Sequence, residues 1–81
     1  MQTSEVIDRV YRVLHDELDI EGTTITPNMH LMNDLGADSL GSVEIVMCIE
    51  DEFNVTIPDR KIDEIIYVED IVRVVGDLLE R

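Results

Sequence analysis

Apolar residues recur along this chain at helical spacing in three separate blocks. In the first, Ile7, Tyr11, Leu14 and Leu18 fall three or four residues apart, with Val6, Val10 and Val13 widening the stripe. That spacing predicts a helix over about 4–18. Thr3 or Ser4 suits its N-cap, and Glu5 and Asp8 suit the positive end of its dipole. The third block holds Val68, Ile71, Val72, Val75, Leu78 and Leu79 and predicts a helix over about 68–79. Its β-branched residues would also suit a strand, but the interleaved Glu69, Asp70, Arg73 and Asp77 favour the helix. Tyr67, just before it, lacks a good capping group.

The middle block, about 39–53, has two apolar sides. An advance of about 100° per residue gathers Ile45, Val46, Ile49 and Phe53 on one side, with Ser42 among them. Leu40, Val43 and Met47 gather on nearly the opposite side, where Glu44, Glu50 and Asp51 also fall. The first side is the expected core face. The second is an apolar stripe edged with carboxylates, and burying unpaired charge is costly. It is therefore expected to face outward, as an apolar centre with a charged rim suited to protein recognition.

The connections are polar and turn-rich. Gly22, Thr23, Thr24, Thr26, Pro27 and Asn28 predict a long loop over about 19–37, with a short helical turn near 29–32. Ile25, Leu31 and Leu35 are expected to pin that loop to the core. Asn54 suits a helix C-cap. Residues 55–58 read as extended, since the residue before Pro58 is pushed out of the α region. Asp59 starts a short helical stretch to about Ile65. The expected fold is all-α: a small antiparallel four-helix bundle of three main helices and one short one, with a long loop after the first helix. Residues 1–81 are expected to form one domain.

Charge narrows the partners. With 19 acidic against 6 basic residues the formal net charge is -13. Between Arg12 and Arg60 there are eleven acids and no Lys or Arg. Nucleic acid and anionic membrane are repelled by such a surface, and a basic protein surface complements it. Disorder is excluded because 44% of residues are hydrophobic and periodic. Cys48 is the one cysteine, so no internal disulfide forms, which fits a reducing compartment. No secretory signal and no membrane-length apolar run is visible; the expected protein is a monomer in the cytoplasm.

The candidate chemistry lies where the long loop meets the second helix, in Asp34-Leu35-Gly36-Ala37-Asp38-Ser39-Leu40. Taken alone, Asp38 and Ser39 are most economically helix caps. The outward stripe beginning beside Ser39 changes that balance. The run also resembles the attachment motif of the acyl carrier protein family. The similarity continues through Ser42-Val43-Glu44-Ile45-Val46-Met47, Glu50-Asp51-Glu52-Phe53 and Ile57-Pro58-Asp59, and with length and acidity spans essentially the whole chain.

The resemblance implies that Ser39 accepts 4'-phosphopantetheine from coenzyme A through a phosphopantetheinyl transferase that recognises Asp38. The arm's thiol would hold an acyl chain as a thioester. Leu40, Val43, Glu44, Met47, Glu50 and Asp51 match the partner-facing helix, and Ile57 and Asp59 a secondary contact region. It also implies a small bundle able to shelter an acyl chain. The expected partners are fatty acid synthesis enzymes with basic docking surfaces. A dedicated carrier for a specialised acyl or polyketide pathway would share the motif, and an acidic interaction module would share all but the arm. The chain departs from the family pattern at Gly41, Cys48, Arg60, Lys61 and Ile66-Tyr67. These departures bear on the choice of partners, not on Ser39.

A hydrolase is the rival from another class. Gly36-Ala37-Asp38-Ser39-Leu40 superficially resembles the Gly-Asp-Ser-Leu motif of an esterase family, but with Ala37 inserted. A triad needs an oriented base within hydrogen-bond reach, and His15 and His30 both read as ordinary surface histidines. Asp16, Glu17, Asp19 and Glu21 lack the spacing of a calcium-binding loop. No catalytic residue and no metal site is expected.

Overall fold

A computed structural model of the chain describes residues 2–18 and 24–80, with Ser39 described by its backbone only. The turn expected at Gly22 and Thr23, and Asp19 and Glu21, lie outside the described residues. Among the described residues there are four helices: α1 (Thr3–Leu18), α2 (Ser39–Phe53), α3 (Asp59–Ile62) and α4 (Val68–Leu79). Helix α1 packs against both α2 and α4.

The buried face of α1 is centred on Val6, Val10, Val13 and Leu14, while Tyr11 and Leu18 pack partly buried beside it. The valines expected to flank the stripe are thus its middle. Thr3 is already helical. The first turn is closed by the carbonyl of Gln2, which accepts from the Glu5 and Val6 N–H groups, each at 3.1 Å. Helix α2 buries Ile45, Val46, Ile49 and Phe53, and α4 buries Val68, Ile71, Val74 and Val75. Each such side chain contributes about 1.5–3 kcal/mol when fully removed from water.

Helix α2 ends as its sequence demands. Asn54 adopts the left-handed conformation, with φ 54°, and its N–H returns to the Glu50 carbonyl. Arg9 of α1 closes the same end: its Nε meets a Glu52 carboxylate oxygen at 2.7 Å and its Nη2 donates to the Glu52 carbonyl. The guanidinium also lies 4.7 Å from the centre of the Phe53 ring. One residue therefore neutralises an acid, caps a helix and covers an aromatic face. Residues 55–58 are free of helix or strand, and α3 stops at Ile62, short of the expected Ile65, with turns following.

The loop between α1 and α2 is fastened at both levels. Ile25, Leu31, Leu35 and Ala37 are buried. Its carbonyls then serve α4: Val68 N–H donates to Met29 at 3.0 Å and Glu69 N–H to Pro27 at 2.8 Å. These are first-turn donors that have no partner within their own helix. Tyr67 contributes no side-chain cap, as expected. Asp70 replaces it from within the helix, its Oδ2 accepting the N–H groups of Ile66 at 3.0 Å and Tyr67 at 2.8 Å.

Candidate functional site

Ser39 is the first residue of α2. The chain arrives there through a sharp change of direction. Gly36 has φ +76°, a conformation that a side chain would strain, and nothing crowds the space where its Cβ would stand. Ala37 follows, buried, with its N–H on the Leu31 carbonyl at 2.9 Å. Asp38 is then the N-cap, in extended conformation, and its Oδ1 accepts the Gly41 N–H at 2.7 Å. A Cβ on Gly41 would stand 3.2 Å from that oxygen. The unusual glycine thus leaves room for a close cap. The capping reading of Asp38 is correct as far as it goes; Ser39 is one residue too late to be the cap.

The outward stripe is present. Leu40, Val43 and Met47 are 68%, 54% and 58% exposed, while the opposite face of α2 is buried. Glu44 and Asp51 are exposed along it. Asp59, at the start of α3, is also exposed. An apolar cavity of about 130 Å³ lies beside the stripe, lined by Leu31, Val43, Val46, Met47, Ile62 and Ile65 among others.

Two expected contact residues are placed differently. Ile57 is only 3% exposed and belongs to the core. Glu50 lies on the expected side, but its Oε2 accepts the Ile57 N–H at 2.7 Å, so the side chain is engaged and half-buried. The carboxylate fastens the segment after α2 to the helix, because that segment's N–H has no ladder or helical partner to meet. In this arrangement Ile57 is buried and one oxygen of Glu50 is already engaged.

Cys48 is half-buried in a cleft with Asp16, Glu17, Asp51 and Glu52. A hydrogen bond to Glu17, burial, and the negative charge of Glu17, Asp51 and Glu44 push its thiol up to about 11. It is thus a poor nucleophile.

His30 was expected to be an ordinary surface histidine and is not. Its Nδ1 accepts the N–H groups of Met32 and Asn33, each at 3.1 Å, while its own N–H donates to Asp34 Oδ2 at 2.7 Å. Its ring meets Tyr67 edge-on at 5.4 Å, and the two residues form an isolated antiparallel bridge. The signal available in sequence was the acid four residues after it. His15, on α1, is half-buried.

The start of α2 is thus a capped helix N-terminus that opens onto an acid-edged apolar stripe. Comparison with known proteins defines the class. Residues 8–75 match the family model described as the phosphopantetheine attachment site. The acyl carrier protein of Helicobacter pylori is 35% identical over 72 residues, spanning 89% of this chain and 92% of that protein. That of Cyanidioschyzon merolae is 38% identical over 72 residues, spanning 89% and 79%. A solved protein of Mycobacterium tuberculosis assigned as an acyl carrier protein superposes with TM-score 0.85 at 29% identity, covering 89% of this chain and 96% of that one. The chain belongs to the acyl carrier proteins, the family that bears phosphopantetheine. Its members are carriers and not enzymes.

The residues at the start of α2 fit an anionic arm. Asp38 satisfies one of the orphan N–H groups of the first turn, that of Gly41. The remaining positive end of the helix dipole favours a phosphodiester over a neutral hydroxyl. When bound, the arm supplies a thiol for thioester chemistry. No helix among the described residues is long and apolar enough to cross a membrane.

Proposed function

We propose that Ser39 is the attachment residue and that the chain carries acyl groups for type II fatty acid biosynthesis in the cytoplasm, as a single 81-residue carrier domain. The carrying observation is the exposed stripe Leu40, Val43 and Met47 that starts at the residue after Ser39. In the loading step the Ser39 hydroxyl oxygen attacks the β-phosphorus of coenzyme A. The pyrophosphate P–O bond breaks, 3',5'-ADP leaves, and the hydroxyl proton passes to a base of the phosphopantetheinyl transferase. Asp38 supports this by holding the first turn in place, and its exposed carboxylate is the group we assign to transferase recognition. Leu40, Val43 and Met47, with Glu44, Asp51 and Asp59, form the docking face for basic enzyme surfaces, where charge speeds encounter and a small apolar area limits residence.

The test is intact mass after incubation with coenzyme A and a broad-specificity transferase. Wild type gains one arm and Ser39→Ala gains none. A wild type that stays unmodified would overturn the assignment. A second reading, a dedicated carrier for a specialised acyl chain, is favoured by two exposed side chains at a point where the chain departs from the family pattern, Ile66 at 46% and Tyr67 at 42%. The acyl species found on the purified protein separates the two.

A further inference from the structure

We infer that His30 is a positioning residue for the modification of Ser39, acting through the hydrogen-bonded turn that delivers the chain to the start of α2; this rests on the carrier reading above. The turn is a continuous series of bonds. His30 Nδ1 holds the N–H groups of Met32 and Asn33. The His30 carbonyl accepts from Asp34 at 2.9 Å and Leu35 at 3.3 Å, and the Met32 carbonyl from Gly36 at 3.1 Å. The Leu31 carbonyl accepts from Ala37 at 2.9 Å, one residue before the Asp38 cap. Asp34 returns a carboxylate to the His30 N–H, so the imidazole and the acid brace the turn reciprocally, as a capping box braces a helix. The Leu31 N–H, on the Ile66 carbonyl at 3.1 Å, and the His30–Tyr67 ring contact tie this turn to the start of α4. The path from imidazole to Ser39 is nine residues of chain with few slack positions.

The arrangement works with one charge state only. Nδ1 must be unprotonated to accept two N–H donors, which places the ring proton on Nε2. A second proton would turn the acceptor into a donor facing two donors. The groups around the ring do not replace it. Asp34, in the same turn, holds the His30 N–H with Oδ2. From α4, the Tyr67 phenol carries the ring contact and Asp70 is committed to Ile66, Tyr67 and Arg73. Glu69, also on α4, takes its place through its N–H on Pro27. The Asp34 and Asp70 carboxylates cannot accept the two freed N–H groups while they keep their present bonds. A proton added at Nδ1 therefore loosens the turn.

The experiment compares wild type, His30→Asn and His30→Ala from pH 8 to pH 5. Asn offers an acceptor at an N-cap and cannot take up a proton there; Ala offers none. Two readouts are taken on each: amide exchange of Met32 and Asn33, and the rate at which coenzyme A and a broad-specificity transferase add mass, expressed relative to His30→Asn at the same pH. Expected at pH 8 are equal rates for wild type and Asn, with Ala modified several-fold more slowly and its two amides exchanging about fivefold faster, the scale of a lost cap. Acidification lowers the wild type toward the Ala level and leaves Asn unchanged. A wild-type-to-Asn ratio independent of pH, or an Ala variant modified like wild type at pH 8, overturns the inference. If no variant gains mass, the carrier reading fails instead, and the amide exchange alone decides whether His30 holds the turn.

Discussion

Removing the carboxylate of Glu50 tests where its energy goes. On the helix wheel this residue belongs to the partner-facing side, yet its Oε2 sits 2.7 Å from the Ile57 N–H and the side chain is half-buried. A hydrogen bond to an ionised acceptor is worth about 1.5–3 kcal/mol, and a neutral one about 0.5–1.5. Glu50→Ala leaves the Ile57 N–H without its acceptor beside a core residue, for a cost of about 2 kcal/mol. In a domain of this size that lowers Tm by about 8–16 °C, at about 4–8 °C per kcal/mol. Glu50→Gln keeps an oxygen in place and loses only the charge assistance, about 1 kcal/mol. Glu44→Gln is the control, since it removes the same charge from an exposed position and relieves repulsion in a chain of net charge -13. Calorimetric melts at one ionic strength should therefore rank Glu44→Gln at or above wild type, then Glu50→Gln, then Glu50→Ala. If Glu50→Ala melts within about 2–4 °C of wild type, the span of an ordinary surface change, while its association with partner enzymes slows, the carboxylate is a docking residue and the structural account is wrong.

Two further outcomes follow from the titrating groups. With the Cys48 thiol raised from 9.0 to about 11, a difference of about two units, alkylation near pH 8 should run about a hundredfold slower than for an unshifted thiol, and unfolding in denaturant should restore the rate; a folded protein alkylated as fast as the unfolded one would contradict the cleft's electrostatics. For Asp70, burial opposes ionisation, but the N–H groups of Tyr67 and Ile66 and the Arg73 guanidinium outweigh it and hold the carboxyl below its usual 3.8. Its folded value is depressed, so its contribution is complete above the ordinary carboxylate range and is lost as pH falls through the folded value. The stability gap between wild type and Asp70→Asn should be largest near neutrality and narrow below about pH 4, and a gap that widens there would refute the assignment.

Local spacing made the helices legible and left the ties between them dark. The bounds of α2 and α4 follow from apolar periodicity, Asp38 before the first turn and Asn54 after the last. The loop was legible as a loop with three apolar pins, Ile25, Leu31 and Leu35. Its service to α4 was not, because the carbonyls of Pro27 and Met29 meet Val68 and Glu69 only once the chain has folded back over some forty residues. Ile57 entered the contact region only through the family resemblance, and 55–58 has no periodicity that would have shown it to be buried. Asp70 could have been read from sequence, since an acid three residues after a cap position is half of a capping box. His30 was harder to read, because imidazole is not an ordinary capping group and the only signal was Asp34 four residues on.

The same engagement of side chains bears on how this carrier is recognised. Helix α2 contains four acids, Glu44, Glu50, Asp51 and Glu52, which by composition alone form one anionic docking face. Glu50 is held by Ile57, and Glu52 is paired with Arg9 at the far end of the helix. That leaves Glu44 and Asp51 as the exposed acids bordering Leu40, Val43 and Met47. Long-range charge still steers encounter, because it sums over the whole molecule. Close discrimination has fewer handles on α2 than the count of acids implies. It must therefore draw on features off the helix: the exposed Asp59 on α3, and Ile66 and Tyr67, where the chain departs from the family pattern and leaves large side chains in solvent. If Ser39 is the handle, as proposed, it is common to the family, and the residues best placed to make this carrier particular lie on the approach to α4.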